Sequence, residues 1–414
     1  MVLPCTISLD PAQVFAMPAR YAAPHRCIAQ LQESQIVKKF VRFLHSIAGV
    51  LCMASGIAVA SDILVAQVAP LSGPLAPTGN GMRVGALAYF EAVNAAGGVR
   101  GSKIRLVSRD DGYKAEETVR LARAVLAESN PVAFFGIVGT GNIEALVKEN
   151  VLKEAGIPAI GLRSGATALV RPENNLLFFT RASYAEEIDR IVTHLSTTGQ
   201  KRIAAFHQDD AFGADGLAAI DASAKRHVVE VLSRASYPKN TTQVENAVKT
   251  LAASNVQAIV MVANTAASAE FVKQYRAAGG TAQLFALSPT EAGQVAEKIG
   301  KQTAHGFAVS QVVPDPRDRG VPVVRSFLDD FAKHGPGGVE PTATMLEGYI
   351  AARTLVEGLR QAGAEATRSR LVSAPQGMRN FDIGGMSIGF GGQTRAGSRY
   401  VDIAILGADG RLLR

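Results

Sequence analysis

Apolar residues fall into short β-rich runs separated by longer stretches of helical spacing. Ile63 to Ala69 (ILVAQVA) is the first run, closed by the turn Pro70-Leu71-Ser72-Gly73-Pro74. Met82 to Ala96 follows with Leu87, Phe90 and Val93 apolar and stops at Gly97-Gly98, which predicts an amphipathic helix. Ile104 to Ser108 then predicts a strand, Glu116 to Ser129 a helix, and Ala133 to Val138 a third strand. Ile143 to Ala155 is predicted helical and Pro158 to Gly161 a fourth strand. This order predicts a parallel sheet with helices on both faces.

The alternation then restarts. Helices are expected over Ala185 to Thr197, Asp215 to Lys225, Val244 to Ser254 and Ala267 to Ala278. Strands are expected over Arg202 to His207, Val228 to Ala235, Ala258 to Val262 and Gln283 to Leu287. Two similar runs imply two lobes. Thr344 to Ala362 reads as a long amphipathic helix, and Ser387 to Phe390 with Tyr400 to Leu406 as a late β-hairpin. No low-complexity linker separates the lobes, so the chain is expected to cross between them more than once.

Composition agrees with a globular α/β protein: 414 residues, 47% apolar, 19% charged, 40 glycines. Residues 1–60 carry five basic and two acidic side chains, a net of +3, which leaves 7 − 3 = +4 for the rest. That surplus is dispersed over both halves, so no nucleic-acid partner is expected. Cys5, Cys27 and Cys52 all precede residue 61, which excludes disulfides, thiolate catalysis and cysteine-based zinc sites from the remainder.

Residues 37–60 read as a signal peptide. Lys38, Lys39 and Arg42 precede the apolar run Ile47 to Ala54, and Ala58-Val59-Ala60 supplies a small-residue cleavage site before Ser61. The run falls short of the ~20 residues that span a bilayer. Val50 and Leu51 are too bulky for a lipoprotein signal at Cys52. The expected location is therefore the periplasm, in soluble form. Residues 1–36 show no period and read as an upstream extension, with translation starting at Val37.

Little in the chain suggests catalysis. Gly385-Met386-Ser387-Ile388-Gly389 matches a nucleophile-elbow string, but it enters a β-rich segment and the last histidine is His334, upstream of it. Gly79-Asn80-Gly81 with Gly85, and Gly139-Thr140-Gly141, are fragments of a dinucleotide turn at the wrong offsets. Both sit where a strand hands over to a helix, a place that favours an anion. The seven histidines are scattered without metal-ligand spacing. Asp110-Asp111 and Gln208-Asp209-Asp210 lie at predicted strand ends, where ligands of open sheets bind. No cofactor, no metal and no enzymatic activity are expected.

From Asp62 onward the chain resembles the type I periplasmic binding proteins, closest to the branched-chain amino acid (Leu/Ile/Val) receptors of ABC importers. The resemblance rests on ordered strings: APLSGPLAPTG at 69–79, NAAGGVRG at 94–101, RASYAEEIDRIVTHL at 181–195 and HQDDAFGADGL at 207–217. SQVVPDP at 310–316, GYIAARTLVEGLRQAG at 348–363 and GSRYVDIAIL at 397–406 complete it. It implies two Rossmann-like α/β lobes with parallel-rich sheets and three crossovers. Lobe one would take 62–181 plus 312–382, and lobe two 182–311 plus 383–414.

The resemblance also implies a site. A ligand carboxylate would be held by Thr140 and Gly141 in one loop and by Arg163, Ser164 and Gly165 in another, with Thr78 lining the side-chain pocket. From lobe two, Phe212 stands where the family often has tyrosine. Glu291 falls near the position that answers an ammonium, Glu186 near another acidic position, and Asn264 where leucine-type receptors carry an aromatic residue. These departures leave two ligand classes open, amino acids and aromatic or keto acids. The expected partner is an ABC permease in the inner membrane, the expected state a monomer, and the expected mechanism hinge closure. The fold also serves as a sensor for membrane signalling receptors.

Overall fold

The computed structural model describes residues 61–363 and 366–414; the expected signal peptide and upstream extension lie outside the described residues. Strands of the first half are β1 (Ile63–Ala69), β2 (Ile104–Asp110), β3 (Ala133–Phe135), β4 (Ala159–Ile160) and β5 (Leu177–Phe178). Then come β6 (Arg202–Asp209), β7 (Glu230–Pro238), β8 (Ala258–Val262), β9 (Gln283–Ala286) and β10 (Ala308–Gln311). The last four are short: β11 (Phe381–Asp382), β12 (Ser387–Ile388), β13 (Asp402–Leu406) and β14 (Leu412–Leu413).

One sheet has the order β2-β1-β3-β4-β5, all parallel, and the other β14-β13-β10-β9-β8-β6-β7, antiparallel only where β13 and β14 join. The expected α/β class with parallel-rich sheets is thus what the chain adopts. In each sheet the chain starts centrally, moves one way and then the other. The reversals lie at β1/β3 and β6/β8, and the carboxyl ends of those strands are where an open sheet leaves a crevice.

Why the strands pair this way follows from burial. β3 and β8 are buried at every residue (AFF and AIVMV), the continuous apolar run of a strand covered on both faces. β7, an edge strand, alternates instead, exposing Glu230, Leu232, Arg234, Ser236 and Pro238 at every second position of EVLSRASYP. Phe206 stacks on Phe271 at 4.2 Å between ring centroids, and Phe271 on Tyr275 at 5.5 Å, filling the outer layer of the second lobe.

The helix Ala76–Ala95 begins six residues before the predicted Met82, with proline at its start, where a missing N–H costs nothing. Gly79 and Gly81 therefore lie inside a helix, not in a loop. Their smallness serves packing: a Cβ on Gly79 would stand 2.0 Å from the Pro70 carbonyl oxygen. A Cβ on Gly85 would stand 1.8 Å from the Met345 carbonyl oxygen, and one on Gly348 2.3 Å from that of Met82. The helices Ala76–Ala95 and Ala343–Ala362 thus touch backbone to backbone. Gly85→Ala should destabilise the protein by about 1–3 kcal/mol in urea unfolding through overpacking. Gly293→Ala, with open space around it, should leave the midpoint unchanged or raise it.

Two expectations fail. Ser387–Ile388 does not pair with the strand near the C-terminus; it pairs antiparallel with β11, while β13 pairs with β10. Ile388 and Phe390 are buried in the first lobe, with Phe390 5.2 Å from Phe178, whereas Ala404 and Leu406 are buried beside the second sheet. Two different cores draw the two segments apart. Gly397 N–H donates to the Phe179 carbonyl at 2.6 Å, so the chain stays with the first lobe to about that point, beyond the expected switch at 383. The chain passes between the lobes three times: after β5, after β10 and before β13. Among the described residues no helix is long and apolar enough to cross a membrane.

Candidate functional site

A narrow pocket opens where both sheets reverse, and both lobes wall it. Lobe one supplies Leu75 and Thr78 from the start of the Ala76–Ala95 helix, Tyr113 after β2, Val138, Gly139 and Thr140 after β3, and Arg163 after β4. Lobe two supplies Tyr184, Gln208 at the end of β6, Phe212, Asn264 after β8, and Pro289. Each side chain is placed by a strand end or a helix start, the rigid points of the fold.

Five of the ten residues singled out in the sequence meet here: Thr78, Thr140, Arg163, Phe212 and Asn264. The others stand behind or beside the wall. Ser164 lies behind Thr140, their hydroxyls 2.8 Å apart, and its oxygen accepts the Ala166 N–H. Gly165 abuts the Tyr184 backbone, where a Cβ would come within 2.6 Å of nitrogen. Gly141 faces the other lobe, with Ala211 Cβ 3.9 Å from the point its own Cβ would occupy. Glu186 closes a capping box with Ser183 at the start of the Tyr184–Thr197 helix. Glu291 points toward the Ala343–Ala362 helix, where its carboxylate accepts from the Thr344 N–H at 2.6 Å and from the Thr344 hydroxyl. Burial holds the Glu291 carboxyl above its ordinary pKa.

Behind Arg163 lies a buried ionic cluster. Glu347 accepts from Arg163 and, at 3.2 Å, from Arg181; Arg181 donates in turn to Glu187 at 2.7 Å and to the Ser288 hydroxyl. Glu187 also accepts from Ser288 N–H at 2.9 Å and Ser310 Oγ at 2.6 Å. All four charged side chains are at most 7% exposed. Two guanidiniums face two carboxylates, so the cluster is neutral, as burial demands. Burial opposes the charge on Arg181, yet Glu347 and Glu187 together outweigh it and hold the guanidinium above its ordinary pKa.

Polar groups on the opposite wall are knitted together. The Gln208 amide donates to Tyr113 Oη at 3.1 Å, while its oxygen accepts from Tyr237 at 3.0 Å and Asn264 at 3.2 Å. Asp210 caps the next helix, accepting from Phe212 and Gly213 N–H at 3.0 and 3.3 Å. At the rim, Lys239 Nζ of lobe two sits 4.1 Å from the Tyr113 ring centroid and 3.3 Å from Asn142 Oδ1. Asn240 donates to the Gly112 carbonyl at 3.2 Å. Burial pushes the Tyr184 hydroxyl up to about 12, so it stays a neutral donor at physiological pH.

Sequence reasoning missed Tyr113, Tyr184, Gln208, Arg181, Glu187 and Glu347. Gln208 was flagged only as part of a strand-end cluster. Arg181, Tyr184 and Glu187 lie within the string RASYAEEIDRIVTHL, whose charged residues alone gave no sign of burial. Among the described residues no group of three or more histidine, cysteine or acidic side chains could hold a metal ion.

Residues 62–411 match the family model described as periplasmic binding protein. A substrate-binding periplasmic protein from Ralstonia solanacearum is similar at 39% identity and TM-score 0.82, over 85% of this chain and 99% of that one. A Leu/Ile/Val-binding protein homolog from Brucella suis is 25% identical over 340 residues, 77% of this chain and 82% of its own. A solute-binding protein of an ABC transporter from R. palustris, solved with benzoate, shares the fold at 18% identity and TM-score 0.74, over 85% and 95% of the two chains. With its paired open sheets, its cleft at their reversals and a match spanning nearly all described residues, the chain belongs to the type I periplasmic binding proteins, in the group of the Leu/Ile/Val-binding proteins.

Proposed function

We propose that this protein is the periplasmic solute receptor of an ABC importer, which captures a small carboxylate-bearing metabolite and presents it to a membrane permease. The observation that carries the reading is a pocket walled by both lobes at the reversals of both sheets, beside the start of the Thr140–Lys148 helix. A helix start offers unbonded N–H groups and a positive dipole end to an anion. The Thr140 and Tyr184 hydroxyls add donors. Solute would enter an open cleft, contact lobe one, and be enclosed as lobe two swings over about the three crossing segments. Selectivity then comes from enclosure, since each polar group of a buried ligand must find a partner.

The test is a thermal-shift screen of amino acids, aromatic acids and keto acids, followed by calorimetry on each hit. At least one class should raise the melting temperature in a saturable manner. Thr140→Val keeps shape and removes the hydroxyl; it should weaken any hit by about 10- to 100-fold, the loss of one hydrogen bond to a charged group. A protein unmoved by all three classes would overturn the reading.

A further inference from the structure

We infer that the ligand is a carboxylate that carries no ammonium group: an aliphatic, aromatic or keto monocarboxylic acid with an apolar body. The inference rests on the reading of the cleft given above and concerns only which acid it accepts.

The pocket offers neutral polar groups but no negative charge. Among its described lining residues Arg163 is the one charged side chain, and none is a carboxylate. No carboxylate lines the pocket, and most of those behind the wall are turned to partners within the protein; Asp215, outside the lining, takes the Thr167 N–H at 2.8 Å on one oxygen and leaves the other without a partner. Glu347 holds Arg163 and Arg181, Glu187 holds Arg181, Ser288 and Ser310, and Glu291 holds Thr344. Asp210 caps a helix and takes a Gln208 N–H at 2.7 Å, and Asp111 takes the Tyr113 N–H and the Thr118 hydroxyl. The neutral acceptors are engaged too. The Gln208 oxygen receives Tyr237 and Asn264, the Asn264 oxygen receives the Ala266 and Ala267 N–H groups, and Tyr113 Oη receives Gln208.

An ammonium brings three N–H donors and a full charge. Buried against these walls it would find engaged amide oxygens, neutral hydroxyls and no carboxylate in the lining to balance its charge, with Lys239 near the rim, which is a steep desolvation cost. A carboxylate fits better: the start of the Thr140–Lys148 helix, which no side chain caps, offers backbone N–H groups and a positive dipole end, beside the Thr140 hydroxyl that is shared with Ser164 and the Arg163 guanidinium that already holds Glu347. Leu75, Val138, Phe212 and Pro289 complete the lining, and they suit a hydrocarbon body.

Calorimetry with pairs differing in the amino group tests this: leucine against 4-methylpentanoate, and phenylalanine against 3-phenylpropanoate. The acid without nitrogen should bind at least ~100-fold more tightly, the scale set by an unpaired buried polar group. Equal or tighter binding of the amino acid would overturn the inference and leave the receptor reading standing. If no member of any pair binds, the reading of the cleft falls and takes the inference with it. Asn264→Asp keeps the helix cap and adds a carboxylate to the wall; it should shift the ratio toward the amino acid by about tenfold or more. An unchanged ratio in that variant would also count against it.

Discussion

Glu347→Ala should cost the folded protein about 3–5 kcal/mol, the penalty for leaving buried charge without its partner. Arg163 and Arg181 both donate to this one carboxylate, and their side chains are 2% and 1% exposed. Without it, Arg163 would keep only the Ser288 carbonyl, and Glu187, which bonds Arg181, Ser288 and Ser310, would be the one carboxylate left to balance two guanidinium charges. Urea unfolding followed by circular dichroism measures the loss. Asp329→Ala provides the contrast, because its pair with Arg319 is half exposed and screened by water; its midpoint should hardly move. A Glu347→Ala midpoint equal to the parent's would mean that the cluster is hydrated and that the ionic account of the pocket floor is mistaken.

Gly141→Leu should cost affinity and spare stability. The point where a Cβ would grow from Gly141 lies 3.9 Å from Ala211 Cβ on the opposing lobe. Alanine fits that gap; leucine overfills it and holds the lobes apart. When only a fraction of molecules reaches the binding-competent form, apparent affinity falls by that fraction. A wedge that depletes the closed form hundredfold therefore weakens binding by about two orders of magnitude. Gly141→Ala should bind like the parent, and both variants should unfold within about 1 kcal/mol of it, since either residue suits a helix better than glycine. Solution scattering of Gly141→Leu at a ligand concentration that closes the parent should retain the open profile, and closure should need about a hundredfold more ligand. Full closure and parental affinity would refute the placement of this contact.

Most of the strand–helix alternation was legible because each strand's burial is written into a local run: AIVMV at 258–262 can only be a covered strand. Errors arose where a distant surface decides. Asn150, in the left-handed region at φ 54°, splits the predicted helix Ile143 to Ala155 into Thr140–Lys148 and Val151–Ala155. Gly79 and Gly81 looked like part of a turn because their partners, Pro70 and Thr344, are unmarked or remote in the sequence. The site divides the same way. Thr140 and Arg163 follow strand ends and could be found locally, but the carboxylate that neutralises Arg163 lies 184 residues away in a helix read as merely amphipathic. Glu186 carried a local signal in Ser183 three residues earlier, the spacing of a capping box. Tyr113 carried none: its place over the pocket comes from a left-handed backbone at φ 63° and from Lys239 of the other lobe.

Arg181 directly follows the first crossing and bonds to Glu347 of one lobe and Glu187 of the other. On the proposed hinge closure, bonds so near the crossing segments would travel little as the mouth opens, much as stitching at a book's spine stays fixed while the pages part. Lys239 and Asn240 hold the far margin through single polar contacts. On that closure, escape of a captured solute is timed by such outer contacts, Gln208 to Tyr113 and Asp215 to the Thr167 N–H among them, and the ionic cluster at the axis leaves its residence time untouched.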